Sequence, residues 1–156
     1  MLSLFGWPLR MLWLLYSHCN GVFRVRLVVS SVVCRGRSPH LFFLCGFSKR
    51  VWRKSLEKCS VLDPPTNWED VLAWGIHHWG KKTLHASICR LVFGASIYNI
   101  WRTRNEIRHG GSPLSEDQLL QKIHVDVRSR ILGKGKFKKI PRNIELCCNW
   151  GSLTLF

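Results

Sequence analysis

The chain is 156 residues long, a size that suits one domain, and 46% of its residues are hydrophobic, enough to build a core. It carries 24 Lys and Arg against 9 Asp and Glu, a net charge of +15. That balance points to nucleic acid, an anionic membrane surface or an acidic protein as partner, and it leaves little room for the clustered carboxylates of a two-metal catalytic centre.

Residues 1–38 show no clean period. Arg10, Arg24, Arg26, Arg35, Arg37, Lys49, Arg50, Arg53 and Lys54 all precede the first acid, Glu57. The apolar run 11–16 is too short for a secretory signal or a membrane span, and Arg10 breaks the longer stretch. An acid-free, Arg-bearing start leaves an organellar presequence as an alternative, and Trp7, Trp13 and Tyr16 would suit a membrane surface. Residues 22–33, VFRVRLVVSSVV, alternate at Phe23, Val25 and Leu27; they fit a strand or a segment without stable structure.

From Phe47 the pattern turns helical. Phe47, Val51, Trp52 and Leu56 share one face, and Lys49, Arg50, Arg53 and Lys54 the other; the prolines of DPP (63–65) end the helix. TNWE (66–69) reads as a capping box with Thr66 as N-cap, followed by Trp68, Val71, Leu72, Ile76 and Trp79 at helical spacing and Gly80 as a stop. The strongest pattern runs from about Lys82 to His109. Leu84, Ile88, Leu91, Ala95, Tyr98 and Arg102 recur at threes and fours, Val92, Ile97 and Trp101 widen the stripe, and Gly110 and Gly111 end it. SPLSEDQ then opens another helix, with Ser115 and Gln118 as a capping box, Leu119, Leu120, Ile123, Val127 and Ile131 as its apolar face, and Gly133 as its stop. GKGKFKKIPRN reads as a basic linker. The apolar tail after it fits a strand or a segment docked on the helices. The expected fold is mainly α: a small domain of about four helices over residues 40–133, with an irregular N-terminal segment and a short C-terminal tail.

The seven cysteines, 19, 34, 45, 59, 89, 147 and 148, are irregularly spaced and argue for free thiols in a reducing compartment, nucleus or cytoplasm, rather than a disulfide framework. His40 and Cys45 have the H-x4-C spacing of half a zinc site. Upstream, Cys34 is the nearest further ligand, and Ser31 stands where a C-x2-C pair would place its first cysteine. The incomplete metal set is therefore Cys34, His40 and Cys45; the competing reading is a buried thiol and a partly exposed imidazole beside Leu41, Phe42 and Phe43. His77, His78, His85, His109 and His124 read as solvated or capping residues of amphipathic helices.

HLFFLCGFSKRVW (40–52) resembles the core of the zinc-binding domain at the C-terminal end of plant non-LTR retrotransposon reverse transcriptases, matching at His40, Leu41, Phe42, Phe43, Cys45, Phe47, Ser48 and Trp52. SIYNIWRTRNEIRHGG is similar to that family's long helix at Ile100, Trp101, Arg104, Asn105, Arg108 and His109. VDVRSRILG and RNIELCCNWG follow in the same order, so the likeness covers residues 39–151. Residues 1–38 do not share it, and the family's C-x2-C pair is missing. The chain then divides into a non-matching segment (1–38), the helical domain (39–151) and a tail (152–156).

The resemblance implies zinc, a retrotransposon origin and a part in gripping nucleic acid. The residues support that last role through Lys49, Arg50, Arg53 and Lys54 beside Trp52, through Arg102, Arg104 and Arg108 beside Trp101, and through Lys134, Lys136, Lys138 and Lys139: cations neutralise phosphates and aromatic rings stack on unpaired bases. The competing reading makes both tryptophans core and the cations a solvated face. No nucleotide-cradling loop, nucleophile elbow or paired-aspartate turn is present, so neither an enzyme nor a small-molecule substrate is expected. The alternatives are an open reading frame left by a decayed transposon, with no selected activity, and a basic membrane-surface or organellar protein.

Overall fold

Three of the five helices among the described residues begin at a side chain that caps the backbone. The computed structural model describes residues 45–152, so the possible strand at 22–33, Cys34, His40 and the last four residues lie outside it. The first helix, α1 (Gly46–Glu57), buries Val51, Trp52, Ser55 and Leu56 and exposes Arg50, Arg53 and Lys54. The prolines that stop it are also used: the Trp52 indole N–H donates to the Pro65 carbonyl at 2.9 Å.

Helix α2 (Trp68–Trp79) starts one residue later than the TNWE box suggests. Its N-cap is Asn67, whose side-chain oxygen accepts from the Asp70 N–H at 2.8 Å. Asn caps at least as well as Thr, and the shift makes Trp68 the first helical residue and buries it. Helix α3 (Leu84–Arg108) is capped by Thr83, which accepts from Ala86 N–H at 3.1 Å. It closes as expected at the glycine pair. Gly110 adopts φ +85°, and the Gly111 and Gly110 N–H groups reach the Glu106 and Ile107 carbonyls at 2.8 and 3.1 Å. Helix α4 (Glu116–Leu132) has the expected Ser115–Gln118 capping box, complete in both directions, and stops at Gly133.

A fifth helix, α5 (Pro141–Asn149), replaces what the sequence reads as the end of a linker and a tail. Pro141 takes the first helical position, where its missing N–H is no loss, and Leu146, Cys147 and Trp150 then fall at helical spacing and are buried. The fold is mainly helical, as expected, with five helices among the described residues rather than four.

Helix α3 packs against all the others, antiparallel to α4. From Leu91 to Ile97 every residue is buried, so the centre of α3 is enclosed all round rather than on one stripe. Arg102, placed on that stripe by spacing, is exposed. Phe93 is the hub. Its ring centroid lies 6.0 Å from Trp52 of α1, and 6.5 and 4.7 Å from Trp68 and Trp79 of α2. Burying three indoles and a phenyl ring contributes on the order of 2–3 kcal/mol per side chain.

Gly75 exists for this cluster. A Cβ there would run into the six-membered ring of Trp79 one turn later. Alanine is the better helix former, by about 1 kcal/mol. Gly75→Ala is nonetheless expected to lower stability by about 1–3 kcal/mol, because Trp79 must leave its seat on Phe93. Urea unfolding followed by tryptophan fluorescence checks this; unchanged or raised stability would mean that the ring relaxes freely.

Candidate nucleic-acid interface

The cations fall into two groups at opposite ends of α3. Cys45, at the start of α1, lies close enough to feel the charge of Arg104, near the end of α3, and the Cys59 carbonyl, beyond the end of α1, accepts from His85 near the start of α3 at 3.1 Å. The two helices are therefore antiparallel. Arg90 and Arg104 stand about 20 Å apart along α3 at ~1.5 Å per residue.

At the far end are Lys49, Arg50, Arg53 and Lys54 of α1 and Arg102 and Arg104 of α3, with Arg108 in the last turn of α3. Much of this charge is already matched. Glu116 accepts from Arg50 Nε at 2.8 Å and from Lys54 Nζ at 2.7 Å. The hydrogen bond from Lys54, and then that from Arg50, hold the Glu116 carboxyl below the usual carboxylate range. Arg102 pairs with Glu106 at 2.9 Å one turn along α3. Arg53 is exposed, and Lys49 and Arg104 are half-buried. Trp52 is fully buried, which removes it as a stacking platform. Trp101 is half-buried against the core, with its ring 6.4 Å from Tyr98.

At the near end the charge is less matched. A cavity of about 550 Å³ is lined by Lys82, Thr83, Ser87, Arg90, Lys134 and Phe137, among others. Arg90 donates to Ser87 Oγ at 3.0 Å and to the Trp79 carbonyl, which ties the end of α2 to the start of α3. Lys136, Lys138 and Lys139 continue from the cavity rim, all exposed. A second cavity of about 540 Å³ sets Lys54 and Lys58 against Glu57 and Asp117, so its charge is balanced. The first cavity therefore has the more positive lining. Sequence reading had Lys134 but missed Lys82 and Arg90. Their signal is tertiary, since Lys134 comes from the far side of α4.

Of the metal set, Cys45 alone is described. It precedes the first turn of α1, half-buried, and hydrogen bonding to the Ser48 backbone, then to that of Phe47, together with the charge of Arg104, lowers its thiol pKa. Such a thiol is suited to act as a thiolate ligand. Among the described residues no group of three or more His, Cys, Asp or Glu side chains is placed to hold a metal ion. The acids are mostly engaged elsewhere: Asp126 accepts from buried Asn99 at 2.8 Å, and Glu145 from Ser60 at 2.8 Å.

Two histidines, His85 and His124, are half-buried and engaged with neighbours rather than fully solvated. His85 donates to the Cys59 carbonyl at 3.1 Å and lies 3.8 Å from Cys89 Sγ. His124 stacks on Trp150 at 5.4 Å and 10°, with Lys58 Nζ 3.3 Å from its Nδ1. No family model, curated protein or solved structure matches the chain. Among the described residues no helix is long and apolar enough to cross a membrane.

The two imidazoles respond oppositely to pH. Burial, then Lys58 and Arg128, lowers the pKa of His124, so its contribution to stability is present above its unfolded value of about 6.5 and is lost as pH falls below that. Hydrogen bonding to Cys89 raises the pKa of His85, whose contribution is present below about 6.5 and is lost as pH rises through the folded value. His124→Gln is expected to unfold at a temperature that falls less between about pH 7 and pH 5 than that of the parent chain, measured by circular dichroism. Equal slopes would remove His124 from the acid response.

Proposed function

We propose that the chain is a non-catalytic, retrotransposon-derived domain of the plant reverse transcriptase zinc-binding type, which binds RNA or DNA with little sequence preference. The observation that carries this is the meeting of Lys82, Arg90 and Lys134 on one cavity, next to exposed Lys136, Lys138 and Lys139. Point charges from separate elements around an open space fit phosphate oxygens, and Phe137, half-buried against the core, lines the same space. The far group, Lys49, Arg50, Arg53, Lys54, Arg102, Arg104 and Arg108, would take a second stretch of the same backbone.

Zinc belongs to this reading through Cys34, His40 and Cys45, with the lowered pKa of the Cys45 thiol in its favour. The metal would be structural, holding the segment before α1 against its first turn. Metal analysis of the full chain expressed with zinc is expected to find about one ion per chain, lost in Cys45→Ala without loss of helix. A metal-free chain that binds nucleic acid normally would remove zinc from the reading.

Binding to a labelled single-stranded oligonucleotide is expected to weaken steeply as salt is raised. Replacing Lys134, Lys136, Lys138 and Lys139 together by Ala is expected to reduce the slope of log K against log salt by about 2–3. Glu116→Gln, which releases Arg50 and Lys54, is expected to tighten binding at low salt while changing stability by about 1 kcal/mol or less. Affinity independent of salt, or untouched by the lysine substitutions, would sink the proposal.

A further inference from the structure

Three cations from separate parts of the chain line the first cavity: Lys82 of the link between α2 and α3, Arg90 of α3, and Lys134 beyond the end of α4. None of the residues that line it is acidic. The hydroxyl-bearing Thr83 and Ser87 belong to the same wall. Its volume of about 550 Å³ falls within the range of roughly 300–1,000 Å³ found for small-ligand sites.

Arg90 is set in place before any ligand arrives. It donates to Ser87 Oγ at 3.0 Å and to the Trp79 carbonyl, which uses two of the five N–H donors of its guanidinium and fixes the plane of the group. Lys82 and Lys134 are exposed, on flexible stems that let their ammonium groups adjust to an anion.

We infer that this cavity takes the terminal phosphate of a nucleic-acid strand, with Lys82, Arg90 and Lys134 around its free oxygens. The inference rests on the nucleic-acid reading above and names the part of the strand that the cavity prefers. A phosphate inside a strand is a diester with one charge and two free oxygens, and a row of single cations along a surface is enough to follow it. A terminal phosphate is a monoester with three free oxygens and close to two charges at neutral pH. Three cations around one space without an acid match the monoester better, because the attraction scales with the product of the charges. Exposed Lys136, Lys138 and Lys139 continue from Lys134 and take the diester phosphates next to that end. A free mononucleotide would leave those three lysines unused. The other basic places are less suited: Glu57 and Asp117 share the second cavity with Lys54 and Lys58, and Glu116 pairs with Arg50 and Lys54.

The test compares one single-stranded oligonucleotide with a 5′-phosphate, with a 3′-phosphate, or with hydroxyls at both ends, binding to the full chain followed by fluorescence anisotropy. One phosphorylated end is expected to bind about tenfold more tightly than the hydroxyl form. A hydroxyl-ended strand longer by two nucleotides, which carries a similar added charge, should not recover that gain. Lys82→Ala and Lys134→Ala are each expected to remove most of the preference while keeping helical circular dichroism, and Arg90→Gln to remove it as well. Should Arg90→Gln fail to fold, the two lysine variants decide. Equal, salt-sensitive affinity for phosphorylated and hydroxyl-ended strands would overturn this inference and leave the nucleic-acid reading standing; no binding to any strand would remove both. The inference also falls if the longer strand matches the phosphorylated one, if a nucleoside monophosphate competes as well as the phosphorylated strand, or if the preference survives the lysine substitutions.

Discussion

The packing of Phe93 inside three tryptophans is the constraint on which the other positions depend. It draws α1 and α2 onto the same few turns of α3, and the remaining sides of α3 are covered by α4 and α5. A helix of 25 residues is about 37 Å long, far more than a core of this size can enclose. Its two ends therefore emerge from the packed centre, and the basic residues lie at those ends. The position of the charge follows from the position of the core.

Net charge alone does not say where a polyanion would settle. The nine acids are unevenly used, with Glu116 between two α1 cations and Glu106 on Arg102, both at the end of α3 opposite the first cavity. The exposed ion pairs add little stability, about 0–1 kcal/mol each, but they cancel local field. The segment from Gly133 to Ile140, which carries the lysines after α4, contains no acid. That asymmetry favours the cavity at the start of α3 over the longer and better-matched basic face of α1.

The cysteines differ from one another in the same way. Seven thiols at irregular spacing read as one class, free and reduced. In the fold they separate into a half-buried thiol with a lowered pKa before a helix, two buried thiols after α1 and in α3, and two neighbours on α5, one buried and one exposed. Only α5 could have revealed part of this from sequence, because adjacent helical residues point about 100° apart.

Helices α1 to α4 were legible because their signals are local: apolar residues at threes and fours, a capping box at Ser115, a glycine pair after Arg108 and prolines after α1. The misplacements were local too, one residue at Asn67 and a short helix hidden behind Pro141 and a run of lysines. Of the candidate interface, the sequence by itself determined the sign and amount of charge and most of its members. Tertiary structure alone decided that Trp52 is core, that Glu116 occupies Arg50 and Lys54, that Lys82 and Arg90 meet Lys134, and that His85 reaches the Cys59 carbonyl. The physical reason is range. Capping and periodicity act within a turn or two of chain, whereas these contacts join residues far apart in sequence that meet only after α3 has gathered the other helices around it.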